Sequence, residues 1–453
     1  MIVLGYPNTI DDFFRITGFE AGGFHGFLLM HCRTVSWLGQ CLVMTRMELE
    51  SEVFENWKPF FRVEEYLKEK PFIPSFCPNP ECEYHQNKIP INFPWYMKRG
   101  WYHSSAHGKV QRYLCKSCGK SFSERMFFTD YYAKRIDIDL QDLLFHYSNG
   151  FSQRALADHY HCTTRTIAQK LQTISRQAMS AIIKANSYLH TREDIAIDGM
   201  QNFTGSQYQP NNYNISVGQY SQYISMVTQV IFRRAGKMNA YQKRRREYFD
   251  AVGLWKRGAF TKSIRELVTH LSHLVEQRDR SKTTIICNSD DKKMYAREIR
   301  RNQSLRREIA ANRFSHMITS SKCWRDHRNP LFPVNYIDGR LRNDLADWQR
   351  ETTSFPREAN RNFQRFLCYI AYHNFFKPHR IRTPDTSHAE AAGIPRKIVQ
   401  EIRKDFFQRR AFYSLTPLPP QWNDCWNCVL VTPLQVHRKI PFNGSRKPNY
   451  LQL

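Results

Sequence analysis

Two short apolar runs that each lead into an aspartate decide the fold: Ile195-Ala-Ile-Asp198-Gly-Met200 and Thr283-Thr-Ile-Ile-Cys-Asn-Ser-Asp290. Short apolar runs rich in β-branched residues are typical of buried strands, so each run predicts a strand that ends in an acidic side chain. Residues 213–218 and 223–233 have the same character and predict two further strands in a hairpin.

The elements around these runs have an informative order. Residues 263–277 have apolar side chains at helical spacing and predict a helix, and a second helix is predicted over 292–301. A short strand is predicted over 316–320, and a helical stretch from about Asn335. Three strands, helix, strand, helix, strand, helix is the order of the ribonuclease-H-like fold. The sequence therefore predicts an α/β core with a mixed sheet and packed helices.

In such a sheet, Asp198 and Asp290 lie at neighbouring strand ends. Like charges at close range repel unless a divalent cation neutralises them. Two hard cations ~4 Å apart can activate an attacking water or hydroxyl and stabilise the leaving oxygen of a phosphodiester. We therefore expect a catalytic site with two Mg²⁺ (or Mn²⁺) ions. The common alternative for any aspartate is a loop or a helix cap.

Two cysteine pairs, Cys77-Pro-Asn-Pro-Glu-Cys82 and Cys115-Lys-Ser-Cys118, enclose a basic and aromatic segment. Two such pairs on tight turns can present four thiolates tetrahedrally to a structural Zn²⁺ ion, so we predict a zinc ribbon. The alternatives are unpaired thiols in unrelated loops, or His85 or His103 in place of one cysteine. Between the pairs, Lys98, Arg99 and Arg112 are predicted to contact DNA, whereas the aromatic residues there suit either DNA contact or a small core.

Residues 140–179 predict a helix-turn-helix. Apolar spacing gives a first helix that stops at Asn149-Gly150, Ser152 can cap a second helix, and Thr163 or Thr164 can cap a third over 165–179. The third helix resembles a recognition helix for the DNA major groove. Its predicted DNA-binding residues are Arg165, Thr166, Gln169 and Lys170. Paired amphipathic helices also occur in proteins that never touch DNA.

With the ribbon and helix-turn-helix in front, the motif Asp290-Asp-Lys-Lys-Met-Tyr295 resembles the DDE transposases of small bacterial insertion sequences. The resemblance covers roughly residues 75–395. Further matching segments are Arg342-Asn-Asp-Leu-Ala346, Arg350-Glu-Thr-Thr-Ser-Phe355, His373-Asn-Phe-Phe-Lys-Pro-His-Arg380 and Ala391-Ala-Gly-Ile394. The resemblance implies a ribonuclease-H-like fold, two-metal catalysis and a DNA substrate. Five further residues are candidates for the vicinity of the site: Tyr369, His373, Lys377, His379 and Arg380. The alternative is that the Tyr and Phe residues of this region form the core of the last helix.

The third acid is where the chain departs from that family. Related transposases carry Glu in the helix after the fifth strand, with a basic residue seven positions on, and counting back from Arg342 gives Asn335. Asp338 lies three residues further on the same helix face, so we predict it as the third metal ligand. The alternatives are Asn335, Glu358, Asp344 and Glu351. A broken third ligand implies a decayed or domesticated DNA binder.

Composition supports a polyanionic partner. The chain has 67 Lys and Arg against 41 Asp and Glu, a formal charge of +26, which pairs most simply with DNA. Scattered cysteines favour a reducing compartment, and residues 27–44 are too polar for a membrane span. We expect a cytoplasmic, nucleoid-associated protein that binds element ends and target DNA as a homodimer or higher oligomer, without a membrane partner.

The predicted organisation has five parts. They are an N-terminal segment without an assigned role (1–70), the zinc ribbon (71–130), the helix-turn-helix (131–190), the catalytic domain with a flexible basic insertion at 234–262 (191–395), and a C-terminal tail (396–453). The predicted function is a transposase that hydrolyses a strand at each element end and joins it to target DNA. One alternative is a catalytically inactive, transposase-derived DNA-binding regulator, and the other is a nuclease or recombinase of the same fold that acts on branched DNA.

Overall fold

The computed structural model describes residues 72–86, 89–90, 93–134, 137–279, 281–320, 322–349, 352 and 354–434. The segment 1–70 and the part of the predicted tail beyond 434 therefore lie outside the described residues, as does Glu351. The described residues belong to one compact unit. Within the described residues, no helix combines the length and the apolar character needed to cross a bilayer.

The first part of this unit is a small sheet beside one short helix. Its elements are α1 (Glu83–Gln86), β1 (Tyr96–Ser104), β2 (Gly108–Cys115) and β3 (Ser121–Ser123). The three strands are antiparallel in the order β1-β2-β3. Buried Trp95, Tyr113 and Phe122 stack into its core, which agrees with a core role for part of the aromatic segment. By contrast, Trp101 is 55% exposed on β1.

Three helices follow: α2 (Leu140–Ser148), α3 (Gln153–His159) and α4 (Thr164–Asn186). The predicted caps are confirmed, because the Ser152 hydroxyl accepts the N–H of Ala155 and the Thr163 hydroxyl accepts that of Thr166. The third helix is longer than the predicted 165–179. Its second half stays helical because residues such as Ala178, Ile182 and Ala185 are buried against the rest of the unit.

A five-stranded mixed sheet forms the centre of the fold. Its strands are β4 (Ile195–Thr204), β5 (Ser206–Gly218), β6 (Ile224–Ile231), β7 (Ile285–Ser289) and β8 (Phe314–Ile318). Their order is β6-β5-β4-β7-β8. Strand β5 is antiparallel to both of its neighbours, β4 and β6, whereas β7 runs parallel to both β4 and β8. The predicted mixed α/β class is therefore confirmed.

Helices cover both faces of this sheet. They are α5 (Ala240–Val252), α6 (Ala259–Glu276), α7 (Lys293–Arg301), α8 (Gln303–Ala310), α9 (Phe332–Asp344) and α10 (Ala359–Ala371). Neighbouring residues of one strand point to opposite faces. On β5, Asn214 bonds to Ser263 of α6, whereas the Tyr213 ring packs on Phe363 and Phe366 of α10. Helices α6 and α10 therefore lie on opposite sides.

The prediction of a flexible insertion at 234–262 is wrong for the middle of that segment, which forms the helix α5. Asn239 and Gln242 form a reciprocal capping box at its start, and Phe249 is buried against Tyr208. Local capping and one apolar anchor outweigh the repulsion among the basic residues of this segment.

The last described elements are β9 (Pro378–Arg380), β10 (Thr383–Ser387), α11 (His388–Ala391), α12 (Arg396–Phe406) and α13 (Pro420–Trp426). The part of the predicted tail up to 434 is packed structure, because Trp422 is buried and its indole N–H donates to the carbonyl of Val227. One hydrophobic cluster runs from Ile138 to Trp426, so the helix-turn-helix and the sheet share a core across the predicted boundary at 190.

Candidate functional site

Four cysteine thiols converge at one end of the small sheet. The Sγ atoms of Cys77 and Cys118 are 3.7 Å apart, those of Cys82 and Cys115 are also 3.7 Å apart, and all four lie within 4.8 Å of one another. Thiolates at zinc–sulfur distances of ~2.3 Å in a tetrahedron are separated by roughly 3.8 Å. The predicted cysteine quartet is brought together, and it can bind a metal ion such as zinc.

Tight turns hold these thiols in place. The Gly119 N–H donates to the carbonyl of Cys115, and Gly119 has a φ of 65°, which favours glycine. Burial opposes ionisation of Cys118, but the backbone N–H of Lys120 and the Cys77 thiol outweigh it and lower its pKa to about 7. Both ring nitrogens of His85 lie at hydrogen-bonding distance from other groups, the Cys77 carbonyl and Ser414. His103 is exposed on β1. The cysteines are therefore the better ligand set.

The two predicted catalytic aspartates meet at the edge where β4 and β7 part. The parallel ladder pairs Ile197 with Ser289, so Asp198 and Asp290 are the next residues on the two strands. Unlike the prediction, β4 does not end at Asp198 but continues to Thr204, because its other neighbour, β5, keeps pairing with it. Asp198 is therefore at the end of the parallel ladder, not of its strand.

Lys292 joins the two carboxylates. Its Nζ atom lies 3.3 Å from Oδ1 of Asp198 and 2.9 Å from Oδ2 of Asp290. Burial raises the pKa of Asp198 to about 6, although the Lys292 ammonium opposes the rise, and Asp290 adds to it. Asp290 also accepts the backbone N–H of Lys292, the short turn that Asp side chains form with the residue two positions on. The two acids thus share one point at which a cation is stabilised.

Tyr295 anchors the segment that carries Asp290 and Lys292 to the sheet. It is fully buried, and its hydroxyl donates to Oδ1 of Asn214 on β5 at 2.9 Å. The Lys292 ammonium lies 5.9 Å from the Tyr295 ring centroid, within the range of a cation–π contact. The tyrosine five residues after Asp290 therefore anchors the first turn of α7 to the sheet and fixes where Lys292 and Asp290 stand.

A cleft of about 430 Å³ opens between the last residues of β4 and helix α9. Its lining includes Asp198, Asn335 and Asp338, so two of the three predicted acids and the asparagine face one space. Asp338 is held by Arg342, with Nη2 and Oδ1 2.9 Å apart. Among the described residues, Asp198, Asp290 and Asp338 do not form a cluster in which one carboxylate oxygen of each lies within 4.8 Å of the others.

The other candidates for the third acid have different positions. Glu358 precedes the first turn of α10 and does not line the cleft. Asp344 is 3% exposed and is bound by Arg340 and the Tyr369 hydroxyl, so it belongs to a buried ion-pair network. Among the described residues, Asp338 and Asn335 are therefore the candidates of this set that face Asp198 across the cleft.

The aromatic residues around His373 belong to the core, as the alternative interpretation had it, whereas His379 is half-buried and Arg380 is exposed. Tyr369 and His373 are buried, the His373 ring stacks on His388 at 3.8 Å, and Lys377 lies 3.9 Å from Asp344. None of the five residues proposed in this region lines the cleft.

Lys377 gives a prediction for stability. Burial lowers its pKa to about 8, the Arg340 charge adds to this, and Asp344 opposes it. An unfolded lysine titrates near pH ~10.4, so between pH ~8 and ~10.4 only the unfolded chain holds the proton and stability rises with pH. We expect Lys377→Met to raise the free energy of unfolding near neutral pH by on the order of 1–3 kcal/mol.

Urea unfolding at neutral and alkaline pH measures this effect. The gain in stability is expected to shrink as the pH approaches the pKa of lysine in the unfolded chain. Exposed Lys397 on α12 gives the matched control, Lys397→Met, with no such change. A loss of stability in Lys377→Met at neutral pH would show instead that Asp344 requires the ammonium in addition to Arg340.

The predicted DNA-binding residues lie on two exposed surfaces. Arg165, Thr166, Gln169 and Lys170 all line one groove of about 630 Å³ beside the first half of α4. The charged residues of its lining are all cationic: Lys134, Arg165, Lys170, Arg176 and Arg410. On the small sheet, Lys98, Arg99 and Arg112 are exposed, and the ammonium of Lys109 lies 4.5 Å from the Trp101 ring centroid.

Helix α10 connects the groove to the acidic pair. The Arg361 guanidinium donates to the carbonyl of Ala168 on α4, at 2.9 Å. The next residue, Asn362, exchanges side-chain hydrogen bonds of 2.9 and 3.2 Å with Asn202 on β4. Two consecutive residues thus tie the first half of α4 to the strand that carries Asp198.

The sequence interpretation missed three residues at the cleft or the acidic pair: Lys292, Arg325 and Gln349. Lys292 stands only two residues after Asp290, so its closeness to that acid could have been predicted from the sequence. Arg325 and Gln349, by contrast, reach the cleft through tertiary packing alone. The chain matches no protein-family model, and no curated protein matches it. The functional assignment therefore depends on the residues and their geometry.

Proposed function

We propose that the chain is a DDE-type DNA transposase with a ribonuclease-H-like catalytic core. The observation that carries the proposal is the meeting of Asp198 and Asp290 at the end of a parallel ladder, with one cationic group bound between them. The order β6-β5-β4-β7-β8, with three antiparallel strands followed by two parallel ones, supports the assignment of the core.

The residues of the site suit divalent cations. The Lys292 ammonium stands where a cation between the two carboxylates would be held, and Asp198 also faces the cleft that Asn335 and Asp338 line. Carboxylate and amide oxygens are ligands that Mg²⁺ and Mn²⁺ prefer. Bound there by Asp198, Asp290 and Asp338, such ions supply activation of the attacking oxygen and stabilisation of the leaving one.

The protein residues have their own tasks in this proposal. The cleft, with Arg325 at its wall, binds the DNA strand next to the reacting phosphate, and Arg342 orients the Asp338 carboxylate through its ion pair. Lys292 holds the two aspartates in place through its ion pair with each of them. The ribbon and helix-turn-helix bind the element ends, and pairing of two ends requires at least a homodimer.

The test is a strand-transfer assay on a plasmid that carries the DNA flanking both sides of the coding sequence. Nicking at element ends and joining to target DNA in Mg²⁺ are expected, with loss of both in Asp198→Ala and Asp290→Ala. Undiminished joining by both variants would refute the site.

One observation favours a second candidate, a transposase-derived regulator without cleavage. Lys292 already forms an ion pair with each of the two aspartates and Arg342 forms one with Asp338, so each acid has a cationic protein partner without any metal ion. Specific binding to the flanking DNA with no nicking in Mg²⁺ or Mn²⁺ would establish this alternative.

The groove beside α4 gives a prediction for DNA binding. Each side chain that reads a base edge contributes ~1–3 kcal/mol, so we expect Arg165→Ala and Gln169→Ala each to weaken specific binding about tenfold or more. Lys170→Ala is expected to weaken binding to all sequences and to reduce the salt dependence by about one counterion.

Fluorescence anisotropy over a range of salt concentrations measures both effects. The matched control is Lys184→Ala, because Lys184 lies near the other end of α4 in an ion pair with Glu401 and outside the groove. Equal loss of affinity in Lys184→Ala and Arg165→Ala would argue that only total charge matters, against a recognition role for α4.

A further inference from the structure

A second possible metal-binding group lies in the helix-turn-helix, away from both sites described above. It consists of Asp142 and His146 of α2 and His159, the last residue of α3. One carboxylate oxygen and one nitrogen of each ring lie within 4.8 Å of one another. Asp142 and His146 are four residues apart, so they share one face of α2, and the turn at Asn149-Gly150 returns the chain so that His159 reaches them.

The distances suit first-row transition metals. Nε2 of His146 lies 3.3 Å from Oδ1 of Asp142. Nitrogen and oxygen ligands at ~2.0–2.1 Å from a tetrahedral zinc ion are separated by roughly 3.3 Å, so this pair already has the spacing of two ligands of one ion. The rings of His146 and His159 have centroids 5.5 Å apart, and a nitrogen of exposed His159 lies within 4.8 Å of the other two ligand atoms.

The carboxylate is also oriented from behind. The Tyr160 hydroxyl donates to Oδ2 of Asp142 at 2.8 Å, while Oδ1 faces His146. Metal-ligating carboxylates commonly have such a hydrogen bond on the oxygen that does not bind the ion, and it holds the ligand oxygen in place. The side chains of His146 and Asp142 are 24% and 47% exposed, so an ion can reach them from solvent.

We propose that Asp142, His146 and His159 bind one transition-metal ion, with Zn²⁺, Co²⁺ and Ni²⁺ as suitable ions. Two imidazoles and one carboxylate favour these ions over Mg²⁺ and Ca²⁺, which take oxygen ligands. Three protein ligands leave one position of the ion to water. The ion joins α2 to α3, so its binding stabilises the pair of helices that precedes α4. This site does not depend on the proposed transposase function.

Cobalt titration of the full-length chain, loaded beforehand with one equivalent of Zn²⁺, tests the proposal. Cysteine thiolates bind zinc tightly enough to keep that equivalent in the ribbon. We expect one further equivalent of Co²⁺ to bind with a visible ligand-field spectrum that lacks the thiolate-to-cobalt charge-transfer band. His159→Gln and Asp142→Asn are each expected to weaken this binding at least ~10-fold.

Two controls separate this site from its neighbours. His161→Gln, two residues beyond His159 and outside the group, is expected to bind the second cobalt ion unchanged. Asp290→Asn is expected to bind it unchanged as well, which excludes the acidic pair as its location. Both ligand variants alter exposed side chains, and an unchanged metal-free unfolding temperature confirms that they fold.

Two results would overturn the proposal. One is the absence of a second cobalt equivalent in the wild-type chain, and the other is a second equivalent with the same affinity and spectrum in His159→Gln and Asp142→Asn. A charge-transfer band for the second ion would assign it to cysteines instead.

Discussion

Asp290→Asn is expected to lower Mg²⁺-dependent strand transfer by at least ~100-fold, a lower bound set by the losses seen when even the partners of metal ligands are removed. The amide keeps an oxygen but removes the negative charge that, with Asp198, stabilises a cation at the end of the β4–β7 ladder. Affinity for DNA is expected to stay within about twofold of wild type, since Asp290 lies outside the groove beside α4.

The neighbouring residue supplies the control. Asp291 is exposed, and Asp291→Asn makes the same chemical change one position along the chain, so activity is expected to stay near that of the wild type. The fold is expected to survive in Asp290→Asn, because Lys292 keeps its contact with Asp198 and the loss of a partly exposed ion pair costs ~1 kcal/mol or less. Equal activity of the two variants would show that the acidic pair has no catalytic role.

Cys115→Ser is expected to abolish zinc binding by the ribbon, so that the metal content falls by one ion per chain relative to wild type. Cys115 is fully buried among the four thiols, and a serine hydroxyl is a poor replacement for a thiolate. Structural zinc sites contribute apparent free energies of roughly 10–16 kcal/mol, which is more than the small sheet around Trp95, Tyr113 and Phe122 can replace. The ribbon is therefore expected to unfold locally.

Metal analysis and limited trypsin digestion measure the two consequences. Cleavage at the basic residues between β1 and β3 is expected to accelerate in Cys115→Ser and in wild type treated with a strong chelator. Cys323 is an exposed free cysteine, so Cys323→Ser is expected to change neither metal content nor digestion. The same zinc content in Cys115→Ser and in wild type would contradict the four-cysteine site and would direct attention to His85.

The elements that sequence alone predicted correctly are those whose signals are local. Caps at Ser152 and Thr163, the paired cysteines and the apolar runs of the sheet depend on neighbours a few residues away. The end of β4 was predicted too early because polar residues beyond Asp198 break the apolar pattern. In the structure they pair with β5, where buried Asn and Ser side chains bond to one another and to α6.

The candidate site was only partly predictable for a related reason. The approach of Asp198 to Asp290 follows from strand order, but the engagement of each acid depends on its cationic neighbour. Arg342 follows Asp338 by one helical turn, and this pair was available from the sequence as an ion pair at helical spacing. The positions of Arg325 and Gln349 arise from tertiary packing around the cleft, which no local pattern records.

The hydrogen bonds of Arg361 and Asn362 have a consequence for how the protein would meet its DNA. Adjacent residues of α10 form hydrogen bonds to α4 on one side and to β4 on the other, so one helix connects the element that would read bases to the strand that carries Asp198. Under the proposed function, the protein keeps a fixed distance between the helix that reads bases and the acidic pair. It selects the scissile bond by its distance from the recognised bases, and the DNA, rather than the protein, bends to fit.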